Sequence, residues 1–285
     1  MRVGIQMFSV RESFNADPLG TLQRISAIGY KYVEFFNHHA DQDPGIGSGM
    51  GSAELRQGLR AAGIVAVGCH IKPLDEGNVA DVLAYHADAG TKSIAVAVDQ
   101  FIDKASLLER CMLYNRVGEK CRSHGMKLYY HNHFHEFQVI AGECVLDTIV
   151  ANTEPELLTI ELDTYWTMRG GVDPVAAIER YGSRIGILHQ KDFPLSEVSH
   201  LDLWAGRDRN APMDKETFDR VNIRPEEFVE VGDGIMKVQE IIAAANQANV
   251  SYMLVEQDHG HLKTEFDRLE RARENLKRMQ GLDWS

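Results

Sequence analysis

Four ionisable residues stand at the ends of strand-like segments in the second half of the sequence. They are His131 in LYYHNH, Asp163 in LLTIELD, His189 in IGILHQKD and Glu256 in YMLVEQD. A buried strand that ends in an ionisable residue is costly unless the charge meets a counter-charge, a proton or a metal ion. Four such endings indicate one shared ion at the mouth of a β/α barrel.

The alternation of side chains along a strand brings further chemistry to the same place. Side chains of a strand point to opposite faces in turn, so residues two apart share a face. The pairs that share a face are His131 and His133, Glu161 and Asp163, and His189 and Lys191. The sequence therefore predicts imidazoles, carboxylates and an ammonium around one mouth.

The donor types narrow the choice of ion. Nitrogen and oxygen ligands without a thiolate suit a borderline or hard divalent ion, and mixed His and carboxylate coordination leans towards Mn²⁺. Co²⁺, Mg²⁺ and Zn²⁺ are the alternatives. We expect one ion, held by His131, Asp163, His189 and Glu256, and an exchange of roles between His131 and His133 stays open at this point.

A repeated unit supplies the elements that must position these residues. An amphipathic stretch, a Gly or Asn stop and a short apolar strand recur, as in RAAGIVAVGCH and AANQANVSYMLVEQ. A left-handed Gly or Asn commonly ends a helix. Eight such strands in 285 residues, with no GxGxxG after the first, predict an α/β protein with a closed (β/α)8 TIM barrel. We expect a single domain over residues 1–285.

The spacing between the seventh and eighth strands is longer than the others. Residues 192–234 are therefore expected to form an inserted loop over the barrel mouth. Loops at this end of a TIM barrel carry function, which makes Arg207 a candidate substrate contact. A solvated excursion or a subunit contact is the alternative interpretation.

Charge and cysteine pattern limit the partners. The 30 Lys and Arg residues against 42 Asp and Glu residues give a net charge of −12, which repels phosphate backbones and argues against nucleic acid. Cys69, Cys111, Cys121 and Cys144 show no CxxC spacing, and the N-terminus lacks the pattern of a signal peptide. No segment has the roughly 20 apolar residues of a membrane span. We expect a cytoplasmic protein with a small-molecule substrate.

Four segments carry a family resemblance. YHNHFHEF, the LDT after strand 6, the HxKD after strand 7 and the VEQD of strand 8 resemble the xylose isomerase-like TIM barrels of the sugar phosphate isomerase/epimerase family, through nearly the whole chain. Its members include sugar epimerases, inosose dehydratase, dehydroshikimate dehydratase and the larger subunit of C-glycoside deglycosidases. The resemblance implies a divalent metal ion held by Glu, Asp, His and Glu of strands 5 to 8. Asp163, His189 and Glu256 fall on the last three positions, and His131 replaces the first Glu.

That replacement bears on the reaction that the resemblance implies. The family's epimerases exchange a proton across the sugar between two metal-bound glutamates, and here one of them is missing. The dehydratases use a histidine two residues beyond the strand-5 ligand, which His133 resembles, and an imidazole is suited to be a general base near neutral pH. The resemblance thus implies proton removal next to the carbonyl of a keto-sugar or keto-cyclitol, through an enediolate-type intermediate, followed by elimination.

The remaining site residues receive roles from their positions. We expect His133 as the base, Lys191 to neutralise substrate oxygen and Glu256 to take part in catalysis as well as metal binding. Candidate substrate contacts are Glu136, Glu34, Trp166 and Arg207. The alternatives are a surface charge for Glu136, an ion pair of Glu34 with Lys72 or Arg11, and core packing for Trp166.

Other functions remain as alternatives. A sugar isomerase or epimerase is the first, and a non-catalytic sugar-binding protein is the second. The family also includes a multi-metal AP endonuclease, which the acidic charge disfavours here. The long segment after strand 7 resembles that of the C-glycoside deglycosidase subunits, which implies a small β-rich partner subunit. Association with further copies of the chain is also expected.

Overall fold

Eight strands form the centre of the protein in a computed structural model that describes residues 1–221 and 223–285. They are β1 (Arg2–Gln6), β2 (Tyr32–Asn37), β3 (Val65–Ile71), β4 (Ser93–Val96), β5 (Lys127–His131), β6 (Thr159–Asp163), β7 (Ile185–Gln190) and β8 (Tyr252–Val255). Neighbouring strands are parallel, and β8 pairs with β1, so that the sheet closes on itself. The TIM barrel expected from the sequence is confirmed.

Helices surround this barrel. They are α1 (Arg11–Ala16), α2 (Pro18–Ile28), α3 (Ser52–Ala62), α4 (Val79–Ala89), α5 (Lys104–Ser123), α6 (Val145–Ala151), α7 (Thr164–Arg169), α8 (Pro174–Tyr181), α9 (Lys215–Asp219), α10 (Val238–Gln247) and α11 (Glu265–Leu276). The expected left-handed stop is seen at Gly63, which ends α3 with φ 65°. Within the described ranges, no helix has the length and apolar character needed to cross a bilayer.

The segment between β7 and α10 contains 3-10 turns at Leu195–His200 and Pro225–Glu227, with the short helix α9 between them. It is tied to the barrel through Arg169 of α7, whose fully buried guanidinium donates to Glu227 Oε2 at 2.7 Å and to His200 O at 2.9 Å. A single domain over residues 1–285, with 192–234 as an insertion, is the division that we propose.

The barrel interior is built in layers. A separate apolar cluster contains Val67, Ala95, Tyr129, Ile187 and Leu254. Two residues further along their strands, about 6.6 Å higher in an extended chain, stand His131, His189 and Glu256. The larger apolar core lies between the strands and the helices. The apolar layer thus supports polar side chains at the carboxyl ends of the strands.

Candidate metal centre and substrate cavity

The four residues singled out at the strand ends come together in space. His131, Asp163, His189 and Glu256 are all buried, and each offers a ligand atom within 4.8 Å of the others. Each belongs to a different strand or to the residue just after it, from β5 to β8. We call these four residues the upper cluster.

The two carboxylate oxygens of Asp163 have different partners. Oδ1 accepts a hydrogen bond of 2.8 Å from Trp166 N and so caps α7. Oδ2 faces the cluster, 2.8 Å from Lys191 Nζ and 3.5 Å from His131 Nε2. The cap fixes the orientation of the carboxylate, which leaves Oδ2 as the oxygen for a ligand.

His131 carries an unused lone pair. Its Nδ1 lies 3.4 Å from Ala97 O, whereas its buried Nε2 has no hydrogen-bond partner in the described part of the chain. Burial, together with the neighbouring His70 and His189, lowers the pKa of His131 well below its usual value. A neutral imidazole with a free nitrogen aimed at carboxylates is a metal ligand in chemical terms.

The donor set fits a divalent cation. Two imidazoles and two carboxylates supply nitrogen and oxygen donors of the kind that borderline and hard divalent ions take. Asp163 and Glu256 would neutralise the charge of such an ion. The ion would also become a partner for Nε2 of His131, which has no hydrogen-bond partner among the described residues.

Lys191 lies beside this cluster. Its ammonium is 2% exposed and forms ion pairs with Asp163 and Glu256. Although burial opposes it, the attraction of Asp163, Asp258 and Glu256 raises the pKa of Lys191. The side chain is therefore a fixed positive charge, and it also lies over the Trp166 ring, 5.7 Å from its centroid.

A cavity of about 210 Å³ opens above the cluster. Its polar lining residues include His131, His133, Lys191, Glu256 and Asp258, and its aromatic ones include Phe8, Phe36, Trp166 and Phe218. A lining that contains both polar and aromatic side chains suits a small polyol ring, which presents hydroxyls at its edge and C–H groups on its faces.

His133 is one of the residues that line this cavity. Its Nδ1 has no hydrogen-bond partner among the described residues, and its ring stacks on Trp166 with centroids 5.7 Å apart. Burial, together with the neighbouring His135 and Lys191, lowers the pKa of His133 well below its usual value. The ring is thus a neutral proton acceptor in a position to meet a bound molecule.

A second group of polar side chains lies beneath the upper cluster, and we call it the lower layer. It consists of Glu34, His70 and Glu161, which surround His189 Nε2. His189 Nε2 is 2.7 Å from Glu161 Oε1 and 2.8 Å from Glu34 Oε2, while its Nδ1 is 2.9 Å from Glu256 Oε2. His189 therefore connects the two groups.

The two carboxylates of the lower layer differ in charge. Burial and repulsion by Glu161 raise the pKa of Glu34 to about 7. Burial also opposes the charge on Glu161, but the attraction of His189 and His70 outweighs it and lowers the pKa of Glu161. From the sequence, Glu161 was expected on the same face as Asp163 near the mouth, but neither Glu161 nor His70 was named as a ligand, base or substrate contact.

The sequence matches a known protein family. Residues 112–282 match the family described as xylose isomerase-like TIM barrel. The chain belongs to this family. The matched residues run from within α5 to beyond α11 and include all four members of the upper cluster.

Curated relatives of this xylose isomerase-like barrel are inosose dehydratases. The protein of Geobacillus kaustophilus is 37% identical over 78 residues, which are 27% of this chain and 25% of that protein. The protein of Clostridium beijerinckii is 24% identical over 169 residues, 59% of this chain and 52% of that protein. The matches thus span between about a quarter and about half of these relatives' lengths.

Solved structures share the fold over nearly the whole chain. A sugar phosphate isomerase/epimerase from Parabacteroides distasonis has a TM-score of 0.77 at 21% identity and covers 99% of this chain and 95% of that chain. The IOLI protein with a bound zinc atom has a TM-score of 0.68 at 14% identity, covering 96% of each chain. At these identities the likeness establishes the barrel.

Three of the expected substrate contacts require correction. Glu136 is fully buried and accepts hydrogen bonds from Tyr130 Oη at 2.7 Å and His133 N at 2.8 Å, so it positions the backbone of His133. Glu34 lies in the lower layer and is bonded to Gln6 and His189, with neither Lys72 nor Arg11 as its partner. Neither Glu136 nor Glu34 lines the cavity.

Arg207 is also misplaced by the sequence reasoning. It is exposed and donates to Leu203 O, in a surface depression separate from the cavity. The contribution of the segment after β7 comes instead from Phe218 on α9, whose ring stacks on Phe134 at 5.6 Å and lines the cavity. Trp166, by contrast, lines the cavity.

Proposed function

We propose that this chain is a divalent-metal-dependent enzyme that removes a proton next to the carbonyl of a small keto-cyclitol or keto-sugar and then eliminates water. One observation carries the proposal. The imidazole of His133, whose pKa is lowered so that the ring is neutral, lines a cavity that is also lined by Glu256 and His131 of the upper cluster. A base beside a cation site is the arrangement that proton removal next to a carbonyl needs.

The residues divide the work as follows. A divalent ion, when bound by His131, Asp163, His189 and Glu256, acts as a Lewis acid that makes the neighbouring C–H group more acidic. The imidazole of His133 takes this proton, and the C–H electron pair becomes the new C=C bond as the C–O bond breaks. The imidazolium of His133 then gives the proton to the departing hydroxyl, which leaves as water.

Other side chains hold the substrate during these steps. Lys191 remains an ammonium and donates a hydrogen bond to substrate oxygen, which offsets negative charge that develops there. Trp166 and Phe218 pack against the apolar face of the ring and exclude water.

Isomerisation or epimerisation is the alternative outcome. Glu256 lines the same cavity as His133, so the substrate lies between two groups that transfer protons. Return of a proton to a different carbon or face would then give an isomer without loss of water. Two points favour elimination. The curated relatives are named as dehydratases, and His131 supplies an imidazole where an epimerase would need a second carboxylate.

For the ion we propose Mn²⁺, because the donor set mixes imidazole and carboxylate, with Co²⁺, Mg²⁺ and Zn²⁺ as the alternatives. Elemental analysis of purified protein, followed by reloading of chelated protein with each ion, would identify it. We expect one ion per chain. A metal content that is unchanged in Asp163→Ala and Glu256→Ala variants would contradict the ligand set.

Proton exchange in deuterium oxide tests the reaction. Metal-loaded protein is mixed with an inosose, a free ketose or a 3-keto glycoside, and the products are followed by NMR. Elimination predicts deuterium exchange together with an unsaturated product, whereas isomerisation predicts exchange without loss of a group. Binding without exchange for any of these compounds would make the protein a sugar-binding protein. A release of aglycone from the 3-keto glycoside would point to the C-glycoside deglycosidases and their small partner subunit.

The His133→Ala variant assigns the base. We expect it to retain the ion and lose exchange, because the upper cluster is intact and the proton acceptor is gone. Undiminished exchange in this variant would remove His133 from the proposal.

A further inference from the structure

We propose that Glu161 is a positioning residue that holds His189 with its proton on Nε2, and thereby makes Nδ1 the nitrogen that binds the ion. This inference rests on the metal site proposed above. It concerns the lower layer, to which neither the fold nor the comparisons assign a role.

The two ring nitrogens of His189 face different groups. His189 Nε2 faces two carboxylate oxygens, Glu161 Oε1 at 2.7 Å and Glu34 Oε2 at 2.8 Å. If Nε2 carried no proton, its lone pair would point at the lone pairs of both oxygens, which is repulsive. A proton therefore belongs on Nε2. Nδ1 faces Glu256 Oε2 of the upper cluster at 2.9 Å, so a bound ion would take the place of the proton on Nδ1 while Nε2 keeps its own.

Further contacts keep both oxygens in the role of acceptors. Glu161 Oε1 is also 2.6 Å from His70 Nε2. Glu34 Oε2 accepts a hydrogen bond of 2.9 Å from the amide of Gln6. The lower layer thus presents negative charge to the far side of His189, and a ligating histidine whose other N–H meets a carboxylate is held in one tautomer and binds metal more tightly.

A glycine in β3 leaves room for the side chains of the lower layer. A Cβ atom placed on Gly68 of β3 would lie 2.5 Å from Glu34 Oε1 and 2.8 Å from Ser93 Oγ. Since both are closer than van der Waals contact allows, any larger residue at position 68 would displace Glu34. Gly68 therefore permits Glu34 to enter the barrel beside Glu161.

A second ion in the lower layer is the competing explanation. His70 Nε2, Glu161 Oε1, His189 Nε2 and Glu34 Oε2 follow one another at 2.6, 2.7, 2.8 and 3.3 Å around a ring. An ion among them would have to share His189 with the upper ion, and the ring would have to lose both protons. The hydrogen-bonded arrangement needs no such deprotonation. The number of ions per chain therefore distinguishes the two explanations, with one ion for the hydrogen-bonded arrangement and two for the competing one.

Nitrogen NMR of the protein loaded with diamagnetic Zn²⁺ tests the arrangement directly. The expected result is a proton on Nε2 of His189 and none on Nδ1 in the natural chain, and a smaller population of that form in Glu161→Gln. A loaded natural chain with the proton on Nδ1 and none on Nε2 would overturn the inference, and this measurement requires neither a variant nor turnover.

Metal affinity supplies the second measurement, by competition with a chelator. We expect one ion per chain, bound 10- to 100-fold more weakly by Glu161→Gln, in the range typical for loss of a partner behind a ligating histidine. Gly68→Ala, which displaces Glu34, should also weaken binding. The matched control is Glu227→Gln, a buried carboxylate bonded to Arg169 outside the barrel interior, and it should bind as the natural chain does.

Each outcome has a defined meaning. Unchanged affinity in Glu161→Gln, or two ions per chain, would overturn the inference. Weakened binding in Glu161→Gln without turnover of any keto compound would support the inference while contradicting the proposed enzyme activity.

Discussion

The ammonium of Lys191 lies 2.8 Å from Asp163 Oδ2, in direct contact with a carboxylate that we propose as a metal ligand. The same ammonium also pairs with Glu256. Lys191 and a divalent ion would therefore neutralise the same two carboxylates. The two cations are expected to share this role when the ion is bound.

Replacement of Lys191 should make the stability of the folded protein depend more strongly on the bound ion. Lys191→Met leaves two buried carboxylates without their counter-charge, so we expect the metal-free variant to lose about 3 kcal/mol of unfolding free energy. Saturation with the ion should then raise the melting temperature more in the variant than in the natural chain. Calorimetry with and without ion measures this. Lys72→Met, an exposed lysine on the same cavity, is the control, and equal ion-induced shifts in all three proteins would contradict the prediction.

Two substitutions of Asp163 should distinguish the helix-capping role of one carboxylate oxygen from the metal-binding role proposed for the other. Asp163→Asn keeps an acceptor for the amide of Trp166 and loses the charge that faces the cluster. Asp163→Ala loses both. We expect both variants to lose metal affinity, and Asp163→Ala to be less stable than Asp163→Asn by about 1 kcal/mol, the usual value of a helix cap. Chelator competition and thermal melts measure the two effects, and retention of the ion by Asp163→Asn would argue against the ligand role.

Phe218 should contribute to substrate binding rather than to chemistry. Phe218→Ala removes part of the apolar wall, and we expect KM to rise with little change in kcat, since packing against the ring is the same before and during reaction. The control is Arg207→Ala in the same segment, which should leave both constants unchanged because Arg207 lies outside the cavity. An effect of Arg207→Ala alone would reverse our correction.

His86 should give the folded protein a pH dependence that is independent of the site. It is fully buried in α4, and burial lowers its pKa from 6.5 to about 4. Between these pH values the unfolded chain binds a proton that the folded chain does not. The contribution of His86 is therefore complete above pH 6.5 and is lost as the pH falls towards 4, by roughly 3 kcal/mol in total.

Denaturant unfolding of His86→Phe between pH 6.5 and pH 4 tests this pH dependence of stability. The variant should lose less stability than the natural chain between pH 6.5 and pH 4, because the residue that titrates is absent. His124→Gln, which changes an exposed histidine, should follow the natural profile. Parallel curves for the natural chain and His86→Phe would show that His86 is already protonated in the fold.

The sequence predicts those features that depend on one strand at a time. Each apolar strand with an ionisable residue at its carboxyl end has a fixed alternation of faces, which was enough to bring His131, Asp163, His189 and Glu256 to one mouth. Parallel strands place these ends on the same side of the barrel. The fold and the grouping of the upper cluster follow from that reasoning.

Features that depend on distances across the barrel were not predicted. His70 of β3 contacts Glu161 of β6, and Glu34 of β2 contacts His189 of β7, although these strands are not neighbours in the sheet. Such contacts arise only when the barrel closes and brings opposite walls together. Phe218 was missed for another reason, since the path of a long loop leaves no periodic pattern in the sequence.

The buried guanidinium of Arg169 sets a condition for exchanging loops among barrels of this kind. It donates to Glu227 and to the backbone oxygens of His200 and Leu201, all in the segment that follows β7. A transplanted loop that lacks these acceptors would strand a cation in the protein interior, at a cost of several kcal/mol. Grafts at this position should therefore succeed only when residue 169 is exchanged together with the loop.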